Sequence, residues 1–439
     1  MIRLWGLIDY KEDMKFENSL EFALQLDKAD LLKDFRNQFI IPSINGQEQI
    51  YFLGNSLGLQ SKNTKEELNI ILDQWAAYGV EGFFTGENPW MDYHDKLTKP
   101  LSKIVGALSH EITVMNQLTV NLHLMMISFY QPSGRRNKIL CEAKAFPSDQ
   151  YMFETHIRQR GFNTNEILIE VKPRLGEHLI RTEDILVVID QYKDELALVL
   201  FSGLNYYTGQ VFNIKAIAKA AHDAGVIAGF DLAHAAGNIP LQLHDWDVDF
   251  ACWCSYKYLN SGPGAVGSVY IHERFHNYKN IKRFAGWWGY DKTTRFRMEK
   301  GFKPIPTAEG WQLSTPSLLL YAAHKASLDI FEKAGWENIL AKQKLLNNYL
   351  WFFLNEINES TSQKIIEFIS PRKEEERGCQ VSLLMLQRGK EVFEALSKAG
   401  VMVDWREPNV IRLAPVPLYN TFEEVWQFAN ILRQILKIE

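Results

Sequence analysis

The sequence predicts an α/β protein: a mostly parallel central sheet in a large domain, followed by a smaller α+β domain at the C-terminus. Three observations carry this. Between about residues 96 and 310, short apolar runs alternate with amphipathic helical stretches. Those runs (KILCEA, EILIEV, LALVLFS, VIAGFDL, FACWCS and GSVYI) are apolar throughout rather than at every second residue. That is the signature of strands buried on both faces, as in parallel sheets. Past about residue 316 the pattern changes to long helices with isolated strand-like runs between them.

Taken in order, residues 15–40 read as polar helix, with Asp30 as an N-cap for LLKDFRNQF. YFLGNSLG (51–58) reads as a strand entering a glycine-containing loop, and 62–78 as a helix. Residues 79–95 form a long Gly- and aromatic-rich loop of the length that usually has a function. Within the alternating region, helices are expected at 149–160, 182–192 and 213–224, the last closed by Gly225 as C-cap. The final part holds a helical stretch from about 316 and helices at 335–357, 390–398 and 421–436. Strands are expected near IEFIS, CQVSLLML and VIRLAP. The expected domains are an N-terminal segment, 1–60, packing on the small domain, a large domain, 61–315, and a small domain, 316–439. Met14 is a candidate start, which would leave residues 1–13 as a tail.

Composition narrows the function. The 439 residues are 46% hydrophobic and 23% charged, an ordinary globular balance. The net charge of −5 gives no electrostatic footprint for nucleic acid or an anionic membrane. No uncharged apolar run approaches the ~20 residues of a membrane helix. The N-terminus lacks the pattern of a signal peptide. Cys141, Cys252, Cys254 and Cys379 lie in apolar contexts without C-x-x-C spacing, which points to a reducing cytoplasm. Aromatic content, at 13%, suits a site for flat ligands and equally an aromatic core.

In open α/β sheets, ligands bind beyond the carboxyl ends of strands, so functional residues should follow apolar runs. Asp231 follows VIAGF, with His234 three residues later; it reads as the partner of a cationic ring nitrogen or as an N-cap. Lys257 follows FACWC. A lysine among apolar groups has a depressed pKa and can form a Schiff base, whereas a surface lysine would snorkel. An acid on one strand end and a lysine on the next make the pair a pyridoxal phosphate site needs, and together they favour that reading. Thr119, at the helix start in QLTVNLH, could cradle a phosphate or simply cap the helix. Phe146 in FPSD could stack on a ring, while Ser148 or Asp149 caps the following helix. Ser202 closes LALVLFS. Trp287 in AGWWG could donate its indole N–H or serve only in packing. Arg412, within VIRLAP, needs a carboxylate, either from substrate or from the protein. GPGAVG (262–267) fits G-x-G-x-x-G, but a strand follows it where a dinucleotide loop needs a helix. Its glycines read instead as a strand–loop–strand turn. Metal and serine-hydrolase patterns fail: His110-Glu111 lacks the second His of H-E-x-x-H, and G-x-S-x-G is absent from the sequence.

YFLGNSLG, LTVNLH, AFPSD, FSG with YYTGQ, FDLAHAAGN, SYKYLNSGPG, AGWWG, QLSTPS and IRLAPVPLYN, in this order and spacing, resemble the kynureninase family from about residue 20 to the C-terminus. The resemblance implies a homodimeric pyridoxal 5'-phosphate enzyme of the aspartate-aminotransferase-like fold (fold type I). It implies hydrolysis of L-kynurenine or 3-hydroxykynurenine to an anthranilate and L-alanine, in tryptophan catabolism or NAD biosynthesis. It also implies that Lys257 holds the cofactor as a Schiff base and that Asp231 pairs with the pyridine nitrogen, with Ser202 and His234 close by. Phe146 would stack on the ring, with Pro147, Ser148 and Asp149 beside it. Leu118, Thr119 and Tyr256 would bind phosphate, completed by Trp287 and Thr315 from the partner subunit. Arg412 would bind the substrate carboxylate, with Asn55 and Ser314 also facing substrate. Some members carry Asn where Thr315 stands. The loop at 80–98 would form part of the aryl pocket. Lys257 would take the Cα proton, and Tyr256 is the expected proton shuttle in the later steps. Two alternatives share the fold: a cysteine desulfurase or selenocysteine lyase using Cys379, and a non-catalytic cofactor-binding protein.

Overall fold

The computed structural model describes residues 15–278, 280–360 and 363–438. The tail expected at residues 1–13 lies outside them. The chain divides into two compact units. One spans Lys65–Tyr206 and Phe212–Leu328; the other takes in the N-terminal residues up to Thr64, Tyr207–Val211 and Asp329–Glu439.

The first unit is built on a seven-stranded sheet. In chain order its strands are β1 (Ile112–Val114), β2 (Lys138–Glu142), β3 (Leu168–Val171), β4 (Leu196–Ser202), β5 (Ile227–Asp231), β6 (Phe250–Cys254) and β7 (Gly267–Ile271). Their spatial order is β1-β7-β6-β5-β4-β2-β3. The neighbours from β3 across to β6 run parallel, and β7 pairs antiparallel with both β6 and β1. The helices Leu118–Phe129 (α1), Pro147–Gln159 (α2), Thr182–Gln191 and Ile214–Asp223 fall between the strands. Gly225, at φ +66°, ends the last of these in the left-handed conformation that a C-cap glycine supplies without strain.

Burial explains the sequence pattern. α1 is apolar on nearly every side, and it packs with β2, β6 and β7 in one core that includes Leu122, Met126, Phe129, Cys141, Phe250 and Trp311. The Phe129 and Phe250 rings stack at 4.7 Å. Each large side chain buried this fully contributes about 1.5–3 kcal/mol. Gly229, inside β5, has a specific cause: a Cβ there would lie 2.1 Å from the Phe250 ring. The indole N–H of buried Trp311 donates to Ser128 Oγ at 2.9 Å, which satisfies its one polar atom.

The second unit carries a four-stranded antiparallel sheet of β8 (Ile366–Phe368), β9 (Val381–Met385), β10 (Asp404–Arg406) and β11 (Val410–Leu413), in the order β8-β9-β11-β10. Helices Trp336–Glu359, Gly389–Lys398 and Phe422–Leu436 supply most of its core, with Ala23 and Leu26 from helix Leu20–Ala29. The last helix starts on a capping box: Thr421 Oγ1 accepts from Glu424 N at 3.0 Å, and Glu424 accepts from Thr421 N at 3.2 Å. Two local expectations change. Residues 15–40 are not one helical region, because Asp30 accepts from Leu32 N at 2.8 Å and turns the chain into a 3-10 stretch, Lys33–Gln38. Residues 79–95 are structured: Gln74 Nε2 donates to the carbonyls of Gly82, Thr85 and Asn88 at 3.1–3.3 Å, and Phe83 packs edge-on against Trp90.

Candidate active site

The carboxyl ends of β2, β4, β5 and β6 open on a cleft within the first unit. Its lining includes Leu118, Thr119, Phe146, Ser148, Asp149, Ser202, Asp231, His234, Tyr256 and Lys257. The sheet places them: Ser202 and Asp231 are directly paired across β4 and β5. Lys257 lies three residues beyond the end of β6 in a tight loop, closed by hydrogen bonds from Asn260 N to Lys257 O and from Ser261 N to Ser255 O.

Lys257 is buried, and its Nζ lies 2.9 Å from His234 Nε2. The Phe146 and Tyr256 rings stand at 6.0 and 5.7 Å from the amine. The surroundings are more polar than the sequence suggests, because Asp149 and Asp231 also act on this amine. The two carboxyls act on each other as well, and both line the cleft. Burial raises the Asp231 carboxyl above the usual carboxylate range, partly offset by the hydrogen bond that Oδ1 accepts from Ala233 N at 2.7 Å. Asp149 has no such support: burial, then the charges of Asp231 and Glu142, push it well above the usual carboxylate range. Two buried acids this close cannot both ionise, so they share a proton.

Glu142, at the end of β2, is the residue sequence reading missed. It is fully buried and accepts from Ser202 N at 3.2 Å through each oxygen and from Ser202 Oγ at 2.5 Å. Burial raises it to about 7. The signal was present, since Glu142 closes the apolar run KILCEA as Asp231 closes its own. Tyr206, also missed, lines the cleft and meets the Phe146 ring edge-on at 5.2 Å.

Two acids beside one lysine, with a third acid lining the same cleft, suit a flat heteroaromatic ring with a cationic nitrogen. Asp149 Oδ1 is buried and takes no hydrogen bond from any described residue, so it is open to such a donor. At the other end of the cleft, α1 begins without a side-chain cap at Gln117 and without an acid in its first turn. Gly267 brings β7 against that helix start: a Cβ there would lie 3.2 Å from Leu118 N and 3.0 Å from Asn121 Nδ2. This is the structural use of the last glycine of GPGAVG. The earlier Gly262 and Gly264 sit at φ +90° and +67° in the turn before the strand.

The remaining residues singled out from sequence lie elsewhere. Trp287 is 42% exposed, and its indole contacts Phe296 and Trp288. Ser314 and Thr315 line a neighbouring cavity with Asn116, Gln117 and Val266. Asn55 and Arg412 belong to the second unit. There Asn55 Nδ2 donates to Gln380 Oε1 at 3.1 Å. Buried Arg412 pairs with Asp404, directly across from it on β10, through Nε at 2.6 Å. A protein carboxylate therefore meets part of the need that the sequence left open.

The fold is similar to that of the apo cysteine desulfurase from Thermococcus onnurineus NA1, with a TM-score of 0.75, 19% identity, and coverage of 92% of this chain and 98% of that chain. A sheet of this topology with a lysine and paired acids at its carboxyl edge places the chain in the fold type I class of pyridoxal-phosphate-dependent enzymes. Within that class its sequence is specific. Kynureninases from Flavobacterium johnsoniae and Flavobacterium psychrophilum are each 52% identical over 421 residues, 96% of this chain and 99% of theirs. The family profile described as Kynureninase C-terminal domain matches residues 339–432. The chain belongs to the kynureninase family.

Proposed function

We propose that the chain hydrolyses L-kynurenine, 3-hydroxy-L-kynurenine or both to the corresponding anthranilate and L-alanine, using pyridoxal 5'-phosphate. The observation that carries this is 52% identity to kynureninases over almost the whole chain. The cleft that sets Lys257 beside a proton-sharing acid pair supports it.

In this reading Lys257 Nζ holds the cofactor, Asp231 and Asp149 hold the ring nitrogen with its proton, and Phe146 covers the ring. Leu118, Thr119 and Tyr256 hold the phosphate. Pyridoxal phosphate, when bound, supplies an electron sink that stabilises negative charge at the substrate's Cα. His234 Nε2, at 2.9 Å, fixes the position of Lys257 Nζ, which can take a proton from substrate and return it. Tyr256 is half-buried, and desolvation followed by the nearby Cys254 thiol raises its phenol above the ordinary value. It therefore enters the reaction neutral, as a proton donor. Tyr256→Phe should slow product release in a single turnover with cofactor bound; an unchanged rate would remove Tyr256 from that role.

Arg412 is the proposed partner of the substrate carboxylate, and Asn55 and Ser314 the proposed substrate contacts. We further propose a cytoplasmic homodimer acting in tryptophan catabolism or NAD biosynthesis, with Trp287 and Thr315 completing the partner's phosphate site. Exposed Phe84, Phe296 and Trp287, with the Phe296 ring centroid 5.8 Å from that of Phe84 and 5.6 Å from that of Trp287, support an interface, since an apolar patch of this kind marks a contact surface. Among the described residues, no helix is long and apolar enough to cross a membrane.

The desulfurase alternative needs a reactive cysteine. Cys379 is buried, and burial pushes its thiol far up, the opposite of a nucleophile's environment. The deciding experiment adds kynurenine to the cofactor-loaded protein and follows anthranilate fluorescence. Comparing kcat/KM for kynurenine and 3-hydroxykynurenine assigns the preferred substrate. A bound cofactor without anthranilate release would favour a non-catalytic protein.

A further inference from the structure

β2, β4 and β5 lie side by side and end in Glu142, Ser202 and Asp231. Ser202 turns both of its donors onto Glu142: its N–H reaches each carboxylate oxygen at 3.2 Å, and its Oγ reaches Oε1 at 2.5 Å. A hydroxyl has one hydrogen. When that hydrogen is held by a carboxylate, the oxygen has only lone pairs to offer elsewhere. Both residues line the cleft.

We propose that Glu142 is a positioning residue that sets the hydrogen-bond polarity of the cleft, by holding the Ser202 proton and so leaving Ser202 an acceptor only. The inference rests on the reading of this cleft as the pyridoxal phosphate site. A ligand atom seated at Ser202 must then bring its own hydrogen. In that reading the protonated ring nitrogen of pyridoxal phosphate is such a group, its one hydrogen shared between Asp231 and Ser202, which are paired across β4 and β5; the phenol is ionised at the pH of the test. Glu142 also acts on the acid pair through its charge; the hydrogen bond from the Ser202 hydroxyl is what the Ser202→Ala background below isolates.

Gln at position 142 tests this. It is nearly isosteric, and its carbonyl can still accept from Ser202 N. Its amide N–H, however, can donate to Ser202 Oγ, which frees the hydroxyl hydrogen to point into the cleft. An acceptor there becomes a donor, while Asp149, Asp231 and Lys257 stay in place.

The experiment titrates pyridoxal phosphate into the full chain at pH 8.5 and records Kd and the visible absorption band. The proteins are the wild type, Glu142→Gln, Ser202→Ala and the double variant. Glu142→Gln should raise Kd on the order of tenfold and displace the absorption band. In the Ser202→Ala background the same change should alter Kd by less than about twofold, because the hydroxyl it acts through is gone. An unaltered Kd and band in Glu142→Gln would overturn the proposal. So would an equal loss in both backgrounds, which would mean that Glu142 acts by its charge alone. If the wild type forms no Lys257-dependent band, the reading of the cleft fails first, and the proposal with it.

Discussion

Replacing Glu142 with Gln should change how the stability of the cofactor-free chain depends on pH. Burial lifts the Glu142 carboxyl from its ordinary 4.5 to about 7. The side chain is fully buried, so little solvent screening reduces the effect. The difference corresponds to about 3 kcal/mol. The folded state binds this proton more tightly than the unfolded state, so the stability it confers is fully present below pH ~4.5 and is lost as pH rises through about 7. Urea unfolding of the full chain without cofactor at pH 5 and pH 8 measures it. The wild type should lose about 3 kcal/mol more than Glu142→Gln between the two pH values, leaving the variant the more stable at pH 8. Parallel losses in the two proteins would refute the reasoning and mean that Glu142 titrates as an ordinary carboxyl.

Two further predictions concern buried groups outside the cleft. His324 is fully buried, with Nδ1 2.6 Å from Ser261 Oγ, and desolvation lowers it to about 3. Its contribution is present above pH ~6.5 and is lost as pH falls toward 3, about 5 kcal/mol in all; acid titration of unfolding should therefore be flatter in His324→Gln, and an unchanged acid limb would contradict it. Cys379→Ala should leave kynurenine cleavage within about twofold and lower stability by about 1–2 kcal/mol through lost packing, read by turnover and by thermal melting; loss of activity with the melting point intact would return the cysteine to the chemistry.

The parts of the site that were legible share one physical trait. Asp231 and Ser202 each close an apolar strand and Lys257 follows one by three residues, and a polar group at the end of a buried strand stands out against its neighbours. Glu142 does the same in KILCEA, but a single acid with no second motif around it gave no reason to be chosen. Lys257's setting was misjudged for a different reason. Its sequence neighbours are aromatic and apolar, whereas its neighbours in space, Asp149, Asp231 and His234, come from other elements. Arg412 shows the same limit. A cation in a strand announces that it needs a carboxylate, and the strand pairing that supplies Asp404 lies in a short strand without an apolar run to reveal it. Loop 79–95 was read as irregular because nothing local reports that the Gln74 amide gathers three of its carbonyls.

The central claim is that Lys257 holds the cofactor with which this chain cleaves kynurenine. It is tested most directly by Lys257→Ala, loaded with pyridoxal phosphate beside the wild type and given L-kynurenine. The wild type should show the visible band of a lysine-bound cofactor and release fluorescent anthranilate, and Lys257→Ala should show neither. A variant that kept the band and the anthranilate would contradict the account.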